Sequence, residues 1–166
     1  MEAAGANAVP GGRSIRVLFS EERIAARIAE LAQDIVAAMA RELVIISVLK
    51  GGFIFTADLI RALHRAGLEP EILFDLSANV AGREVLVVDD ILDTGRTLLF
   101  ARNLLGEREA TTVKACCLLD KAERRMVDVE AEFVGFACPN EFVVGYGLDF
   151  AHRYRELPYI GVLGEP

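Results

Sequence analysis

The sequence predicts an α/β fold with a mainly parallel sheet, on two observations. Segments with the length and β-branched content of strands alternate with segments whose apolar residues recur every three or four positions, as on one face of a helix. The strand segments, such as LVIISVL (43–49) and EVLVV (84–88), are apolar almost throughout, which is typical of parallel strands buried on both faces. No repeat or internal linker interrupts the alternation, so we predict a single domain over residues 14–166 after a frayed tail at 1–13.

The first half of the chain predicts two strand–helix pairs. SIRVLFS (14–20) is a short strand, and its last residue, Ser20, is a suitable N-cap for the helix that follows. The apolar face of that helix consists of Ile24, Ile28, Leu31, Ile35 and Met39. LVIISVL is the second strand, and FIFTADLIRALHRAG after it predicts a helix that ends at Gly67.

The second half predicts further strands around one more helix. EILF (71–74) is a short strand and EVLVV a fully buried one. A helix begins near Thr97 and runs to about Leu105. The later strand candidates are TVKACCLLD, EFVGFAC, FVVGY and YIGVL.

Composition excludes several classes of protein. The 25 acidic and 18 basic residues give a net charge of −7, which argues against a general nucleic-acid binder but leaves room for one small anionic ligand. The three cysteines, Cys116, Cys117 and Cys138, have no metal-binding spacing and predict buried thiols in a reducing compartment. No apolar run is long enough to span a membrane, and the N-terminus does not have the pattern of a signal peptide. We therefore predict a cytoplasmic protein.

The strand VLVV is followed by three carboxylates and by a turn suited to an anion. In VLVVDDILDTGRTL (85–98), Asp89 and Asp90 stand at the carboxyl end of the strand, where ligands bind in parallel α/β sheets. Asp93 follows in the loop, and Thr94-Gly95-Arg96-Thr97 leads into a helix whose free N–H groups suit a phosphate monoester. A phosphorylated sugar would satisfy both parts, with the carboxylates bonding hydroxyls or holding Mg²⁺ through water. The alternative, that the aspartates only cap the next helix, is disfavoured because capping needs one Asp.

This stretch resembles the phosphoribosyl-diphosphate signature of the type I phosphoribosyltransferases. SVLKGGFIF, CLLDKAERR and FVVGYGLDFAHRYRELPYIGVL are similar to the hypoxanthine-guanine branch of that family, which serves purine salvage. The resemblance implies a twisted, mainly parallel sheet with flanking helices and a small hood built from the N- and C-terminal segments. It also implies Mg²⁺-dependent transfer of the phosphoribosyl group from phosphoribosyl diphosphate to hypoxanthine or guanine, giving IMP or GMP and pyrophosphate. The family precedent favours a homodimer or homotetramer.

The resemblance assigns roles along the aspartate-rich stretch. Asp89 and Asp90 match the acids near the ribose hydroxyls and the metal, and Asp93 matches the general acid/base placed at purine nitrogen 7. The residues that match the cradle of the 5′-phosphate are Thr94, Gly95, Arg96 and Thr97.

On the purine side, Lys121 matches the donor to the 6-oxo group, which favours 6-oxopurines over adenine. Phe142 matches the ring that stacks on the base, and Val143 offers backbone groups beside it. Without the family, Lys121 reads equally well as a solvated residue of the charged run KAERR, and FVVGY reads better as a core strand.

On the pyrophosphate side, Asp149 matches an acid that helps to hold Mg²⁺, and Arg155 matches a planar donor to phosphate oxygens. Lys50 and Gly51 match a pyrophosphate-binding loop in which the peptide Leu49–Lys50 is cis. The two histidines, His64 and His152, have no partner pattern and are predicted to lie at the surface or the rim.

The sequence departs from the family pattern at one place. The family carries a long mobile loop with a Ser-Tyr pair that closes over the site, whereas only Asp75 to Glu84 separate the two strands here. Either the chain lacks this lid, which puts turnover in doubt, or a segment is missing from the sequence. The passage from EILF straight into DLSANV favours a missing segment.

Two other functions compete with the salvage enzyme. One is a regulator of the same fold that senses a nucleotide and binds RNA, against which the net charge of −7 weighs. The other is an enzyme that prefers adenine or xanthine. Lys121 argues against adenine, whereas hypoxanthine, guanine and xanthine differ only at position 2.

Overall fold

The computed structural model describes residues 6–8 and 13–164. It contains two sheets and three α-helices within these residues. The strands are β1 Ala6–Ala8, β2 Ser14–Phe19, β3 Val44–Ser47, β4 Glu71–Leu73, β5 Glu84–Leu92, β6 Thr112–Asp120, β7 Phe133–Ala137, β8 Val143–Val144 and β9 Ile160–Leu163. The helices are α1 Glu21–Ala38, α2 Phe53–Arg65 and α3 Arg96–Glu107, with a short 3-10 turn at Ala122–Arg124.

The larger sheet is parallel and has the strand order β4-β3-β5-β6-β7. Its strands expose alternate side chains to two apolar layers. Leu86 and Val88 of β5 pack with α1 and α2 on one face, while Val85 and Val87 pack with α3 on the other. The predicted α/β class and the burial of the central strands on both faces are confirmed.

The smaller sheet forms the hood and has the order β1-β2-β9-β8, with antiparallel pairing throughout. It is assembled from the two ends of the chain, as the resemblance implies. Strand β1 lies inside the segment predicted to be a frayed tail, so that residues 6–8 belong to the sheet.

The helices begin and end close to the predicted positions. Ser20 caps α1 by accepting a hydrogen bond from the Arg23 N–H at 3.4 Å. Helix α3 begins one residue before Thr97 and runs past Leu105 to Glu107. The buried residues of α1 include Ile24, Leu31 and Ile35, three of the predicted apolar face.

Two strand predictions were wrong in extent. Strand β5 does not end at Val88 but continues to Leu92, because β6 pairs with it over its whole length, up to Leu92 opposite Asp120. FVVGY contributes only Val143–Val144 to a strand, and the chain then turns at Gly145, where φ is +98°.

All three cysteines are buried thiols, as predicted. Burial, with the nearby charge of Asp120, raises the pKa of Cys117 to about 12. No helix among residues 6–8 and 13–164 has the length and apolar character needed to cross a bilayer.

Candidate active site

A cavity of about 760 Å³ lies at the carboxyl end of the parallel sheet. Its walls come from the loops after β3, β5 and β6 and from the hood, as expected for a ligand site in a parallel α/β fold. The predicted site residues that line it are Lys50, Gly51, Asp90, Asp93, Lys121, Phe142, Val143, Asp149 and Arg155. Residues scattered over a hundred positions of sequence are therefore brought to one cavity.

Asp89 and Asp90 have different surroundings although they are adjacent in β5. Asp90 lines the cavity, whereas Asp89 lies beside a small apolar void with Val48 and Val87. The Asp89 carboxylate accepts a hydrogen bond from the Asp90 N–H at 2.9 Å. Burial, followed by the neighbouring Asp90 charge, raises the pKa of Asp89 to about 8. Asp90 is thus the carboxylate placed to meet a ligand, and Asp89 stands behind it.

The loop after β3 approaches Asp90 so closely that a side chain at position 51 would force the Asp90 carboxylate or the loop to move. A Cβ atom on Gly51 would lie 1.7 Å from Oδ2 of Asp90. The peptide Leu49–Lys50 before it is cis, which confirms that prediction from the resemblance. Lys50 is exposed, and it lines the same cavity as Asp90.

The turn Thr94–Thr97 leaves the first N–H groups of α3 open to a ligand. The N-cap is Gly95, which has φ +83° and no side chain to cap the helix. Thr94 Oγ1 accepts only a long hydrogen bond, at 3.5 Å, from the Arg96 N–H. This geometry excludes the alternative in which the aspartates serve as helix caps, and it favours an anion at the helix end. None of these four residues lines the main cavity.

Asp93 is paired with a residue that the sequence did not single out. Arg124 donates through Nε to Oδ1 of Asp93 at 2.5 Å, and both side chains line the cavity while remaining about half exposed. Arg124 stands in the run KAERR, three residues after Lys121. Its position close to Lys121, a predicted site residue, was the only feature of the sequence that could have indicated a role for Arg124 in the site.

Lys121 is not a solvated lysine. Only 9% of the residue is exposed, and its Nζ donates to the Glu141 carbonyl at 2.8 Å. The charged-run interpretation is therefore wrong for this position, because the turn Ala122–Arg124 folds the rest of the run away. The lysine ammonium faces the cavity beside the hood.

Phe142 offers an exposed aromatic face at the cavity wall. The residue is 55% exposed, and its ring stands edge-on to Phe150 at a centroid distance of 5.7 Å. Arg13 lies over Phe150 at 4.7 Å. Val143, beside Phe142, is buried in the hood. Among the described residues that line the cavity, Phe142 is the aromatic one, and its exposed face is free to stack on a planar ligand.

Asp149 and Arg155 form a pair on the far side of the cavity. Arg155 contacts Oδ1 of Asp149 at 2.9 Å and donates to the Gly147 carbonyl at 2.6 Å. Asp149 also accepts from the His152 N–H at 2.9 Å. The two histidines are exposed, as predicted, with 73% of the His64 side chain and 97% of the His152 side chain accessible.

The carboxylates fit Mg²⁺ in part. Asp90 and Asp149 face the same cavity, and oxygen ligands of this kind hold Mg²⁺ together with substrate phosphates and water. Within the described part of the chain, no three acidic, histidine or cysteine residues gather into a ready metal centre. Asp89, the third predicted ligand, does not line the cavity.

The short connection between β4 and β5 does not cover the site. Asp75 accepts a hydrogen bond from the Ser77 N–H at 2.7 Å within the connection, and Gly82 attaches it to the turn after α3 by donating to the Glu109 carbonyl at 2.9 Å. Val80 is buried in the core on the α3 side of the sheet. None of the described residues 74–83 lines the cavity.

Comparison with known protein families gives a match that covers about half of the chain. A family described as the phosphoribosyl transferase domain matches residues 65–151. The chain is 43% identical to a hypoxanthine phosphoribosyltransferase of Salmonella typhimurium, over 89% of this chain and 94% of the relative. That alignment spans 168 residues, more than the 166 of this chain, so the relative carries residues inside the aligned region that this chain lacks.

Solved structures give the same picture. A hypoxanthine-guanine phosphoribosyltransferase of Bacillus anthracis is 42% identical with a TM-score of 0.83, over 89% of this chain and 96% of that chain. The hypoxanthine phosphoribosyltransferase of Trypanosoma cruzi, in complex with the product IMP, is 40% identical with a TM-score of 0.84, over 89% of each chain.

Proposed function

The chain belongs to the hypoxanthine-guanine branch of the phosphoribosyltransferase family, and from this membership we propose how its residues carry out the reaction. The enzyme transfers the 5-phosphoribosyl group of phosphoribosyl diphosphate to hypoxanthine or guanine, giving IMP or GMP and pyrophosphate. The reaction serves purine salvage.

The observation that carries the assignment of residues is the meeting of Asp93, Lys121 and Phe142 in one cavity. These side chains supply a carboxylate, an ammonium donor and an exposed aromatic face, which together match the edge and the face of a 6-oxopurine. Lys121 donates to the 6-oxo group and so disfavours adenine, whose amino group at that position is itself a donor. Phe142 stacks on the base, with the backbone of Val143 beside it.

Asp93 acts as the general base. The bond from C1′ of the ribose to pyrophosphate breaks while a purine nitrogen forms its bond to C1′. The purine must then give up a proton. A carboxylate at nitrogen 7 accepts that proton. Arg124 holds Oδ1 of the Asp93 carboxylate in the free protein, so the purine binds to a carboxylate that is already oriented in the cavity.

The 5′-phosphate binds in the turn formed by Thr94, Gly95, Arg96 and Thr97. The uncapped N-terminus of α3 supports this assignment, since backbone N–H groups and the helix dipole stabilise a phosphate dianion. Asp90 bonds the ribose hydroxyls at the adjoining edge of the sheet. Asp89 supports Asp90 from behind.

Pyrophosphate leaves on the side of Lys50, Gly51 and Arg155. Two cations there offset the charge that develops on the leaving group. Mg²⁺, held by Asp90 and Asp149 together with phosphate oxygens and with Asp89 nearby, would neutralise and orient the diphosphate. Within the protein, the Arg155 pair with Asp149 keeps both groups aimed at this region.

The protein acts in the cytoplasm as a homodimer or homotetramer, with residues 14–166 as its single domain, to which strand β1 at residues 6–8 adds an edge strand. It binds neither nucleic acid nor membranes in this role. The acidic balance, with a net charge of −7, supports this against an RNA-binding regulator of the same fold. Retention of RNA on a filter, with a steep dependence on salt, would favour the regulator instead.

The deciding experiment is product formation with phosphoribosyl diphosphate and Mg²⁺, offering hypoxanthine, guanine, xanthine and adenine separately. We expect IMP and GMP and no AMP. Formation of AMP would contradict the role of Lys121. An absence of all products, with nucleotide still bound, would leave a binding protein in place of an enzyme.

A further inference from the structure

Arg125 lies behind the candidate site and joins its two halves. It does not line the cavity, and only 17% of its side chain is exposed. Through Nη1 it donates to the Leu92 carbonyl at 3.0 Å and to the Asp93 carbonyl at 2.5 Å. Through Nη2 it donates to the Asp120 carboxylate at the end of β6. One guanidinium therefore ties the end of β5, the Asp93 backbone and the end of β6 together.

The same loop is attached to the β5 end by backbone contacts on both sides of Arg125. Lys121 donates from its N–H to the Leu92 carbonyl at 3.0 Å, and Met126 donates to the Thr94 carbonyl at 3.0 Å. A Cβ atom on Gly95 would lie 2.9 Å from Cδ of Arg125, so the aliphatic stem of the arginine fills the space under the phosphate turn. Arg125 is thus the central side chain of this contact.

We propose that Arg125 is a positioning residue that fixes Asp93 and Lys121 relative to each other. These are the two side chains assigned to nitrogen 7 and to the 6-oxo group, so their separation must match the edge of a purine. A planar guanidinium with several fixed donors can bridge two carbonyls and one carboxylate, which a lysine cannot do with the same geometry. The inference rests on the proposed function, because the separation of Asp93 and Lys121 matters only if both side chains bind one purine.

The test compares Arg125→Lys with Arg102→Lys in the intact protein. Arg102 is a matched control: its side chain is 24% exposed, it donates to both oxygens of Glu132, and it does not line the cavity. We expect Arg125→Lys to lower kcat/KM for hypoxanthine by about 100-fold, the order of loss caused by small misplacements of a catalytic group. KM for phosphoribosyl diphosphate should stay the same. Arg102→Lys should change neither value, even if both variants lose similar thermal stability.

A second variant, Asp120→Asn, covers the case in which Arg125→Lys fails to fold. It removes the charged partner of Arg125 and leaves the two carbonyl contacts, so we expect a smaller loss in the same parameter. Joined with Arg125→Lys it should add little, since the two residues act through one contact. The inference is overturned if Asp120→Asn and a folded Arg125→Lys match Arg102→Lys, or if KM for phosphoribosyl diphosphate rises by as large a factor as kcat/KM for hypoxanthine falls.

A binding measurement separates this inference from the proposed function. Calorimetry measures the affinities for GMP and for ribose 5-phosphate. Arg125→Lys, or Asp120→Asn if the first is unfolded, should weaken the binding of GMP and leave the binding of ribose 5-phosphate unchanged, because only GMP reaches Asp93 and Lys121. Equal weakening of the two ligands would overturn the positioning role. Failure of the proposed function would appear elsewhere, as a wild-type protein that forms no IMP or GMP.

Discussion

Arg124 holds the carboxylate of Asp93 by a hydrogen bond of 2.5 Å from Nε to Oδ1. Both side chains line the cavity, and both are partly open to water. In the free protein the proposed general base therefore already has a cationic partner that keeps its carboxylate facing the cavity. The Asp93 side chain is thus already ordered as a hydrogen-bond acceptor before a purine binds to it.

Asp93→Asn should lower kcat by roughly two to four orders of magnitude, the usual contribution of a general base. An amide keeps the shape of the side chain but cannot accept the purine proton. Binding of phosphoribosyl diphosphate should be retained, which equilibrium binding would check. The control is Asp75→Asn, a change at an exposed aspartate outside the cavity. Turnover at the wild-type rate in the Asp93 variant would remove Asp93 from its role.

Lys121→Ala should reduce the preference for 6-oxopurines over adenine. The ammonium that would oppose the adenine amino group is lost, and a charge-assisted hydrogen bond is worth on the order of 1.5–3 kcal/mol, or about 10-fold to 100-fold in discrimination. The measurement is the ratio of kcat/KM for hypoxanthine to that for adenine. Lys114→Ala is the control, because Lys114 also donates to a backbone carbonyl, that of Ala38, but outside the cavity. An unchanged ratio in Lys121→Ala would show that the lysine has only a structural role.

Gly51→Ala should damage the pyrophosphate side of the site with little effect on the fold. The added Cβ would stand 1.7 Å from Oδ2 of Asp90, so the carboxylate or the loop must move. We expect kcat/KM for phosphoribosyl diphosphate to fall by about 100-fold. Gly106→Ala, where no atom lies within 4 Å of the new Cβ, is the control. If Gly51→Ala and Gly106→Ala had the same kcat/KM for phosphoribosyl diphosphate, the close approach of Gly51 to Asp90 would have no role in substrate use.

The fold could be predicted from the sequence largely because its strands are buried on both faces. LVIISVL and EVLVV have no polar face, and such strands are typical of a parallel sheet between two helical layers. The end of β5 could not be predicted in the same way. The strand runs on through Asp89 to Leu92 because β6 supplies partners for Asp89, Ile91 and Leu92, and partners from a distant segment leave no mark in the local sequence.

The site was predicted less completely, for a related reason. Lys121 belongs to a run of charges, and nothing near it in sequence reveals that the Glu141 carbonyl, twenty residues further on, accepts a hydrogen bond from it. Arg124 and Arg125 read as two more solvated charges, yet one contacts Asp93 and the other joins two strand ends. Strand β1, with the sequence Ala-Asn-Ala, is too short and too weakly apolar to be recognised as a strand, and it forms through its pairing with β2.

The stability of the ligand-free protein should fall as pH rises, in part because of Asp89. Burial and the Asp90 charge raise the pKa of Asp89 from 3.8 to about 8 in the folded state. Between these values the unfolded chain has lost the proton while the folded protein keeps it, so each rise in pH favours unfolding. The free energy of unfolding falls with pH by an amount that corresponds to at most one bound proton. Urea unfolding in EDTA from pH 5 to pH 8 should show this decline in the wild type and a flatter profile in Asp89→Asn. Parallel profiles would mean that Asp89 titrates normally.

The open cavity predicts release of pyrophosphate without a purine. Residues 74–83 pack against the sheet and cover no part of the site, so water reaches the position that the base would occupy. With phosphoribosyl diphosphate and Mg²⁺ but no base, we expect pyrophosphate and ribose 5-phosphate to appear faster than in a blank without enzyme. Hypoxanthine should suppress the formation of ribose 5-phosphate, because the base displaces water, and Asp93→Asn should leave the hydrolysis largely intact, because water needs no partner at purine nitrogen 7. Tight coupling, with no ribose 5-phosphate above the blank, would require that the hood or another segment closes over the bound substrate.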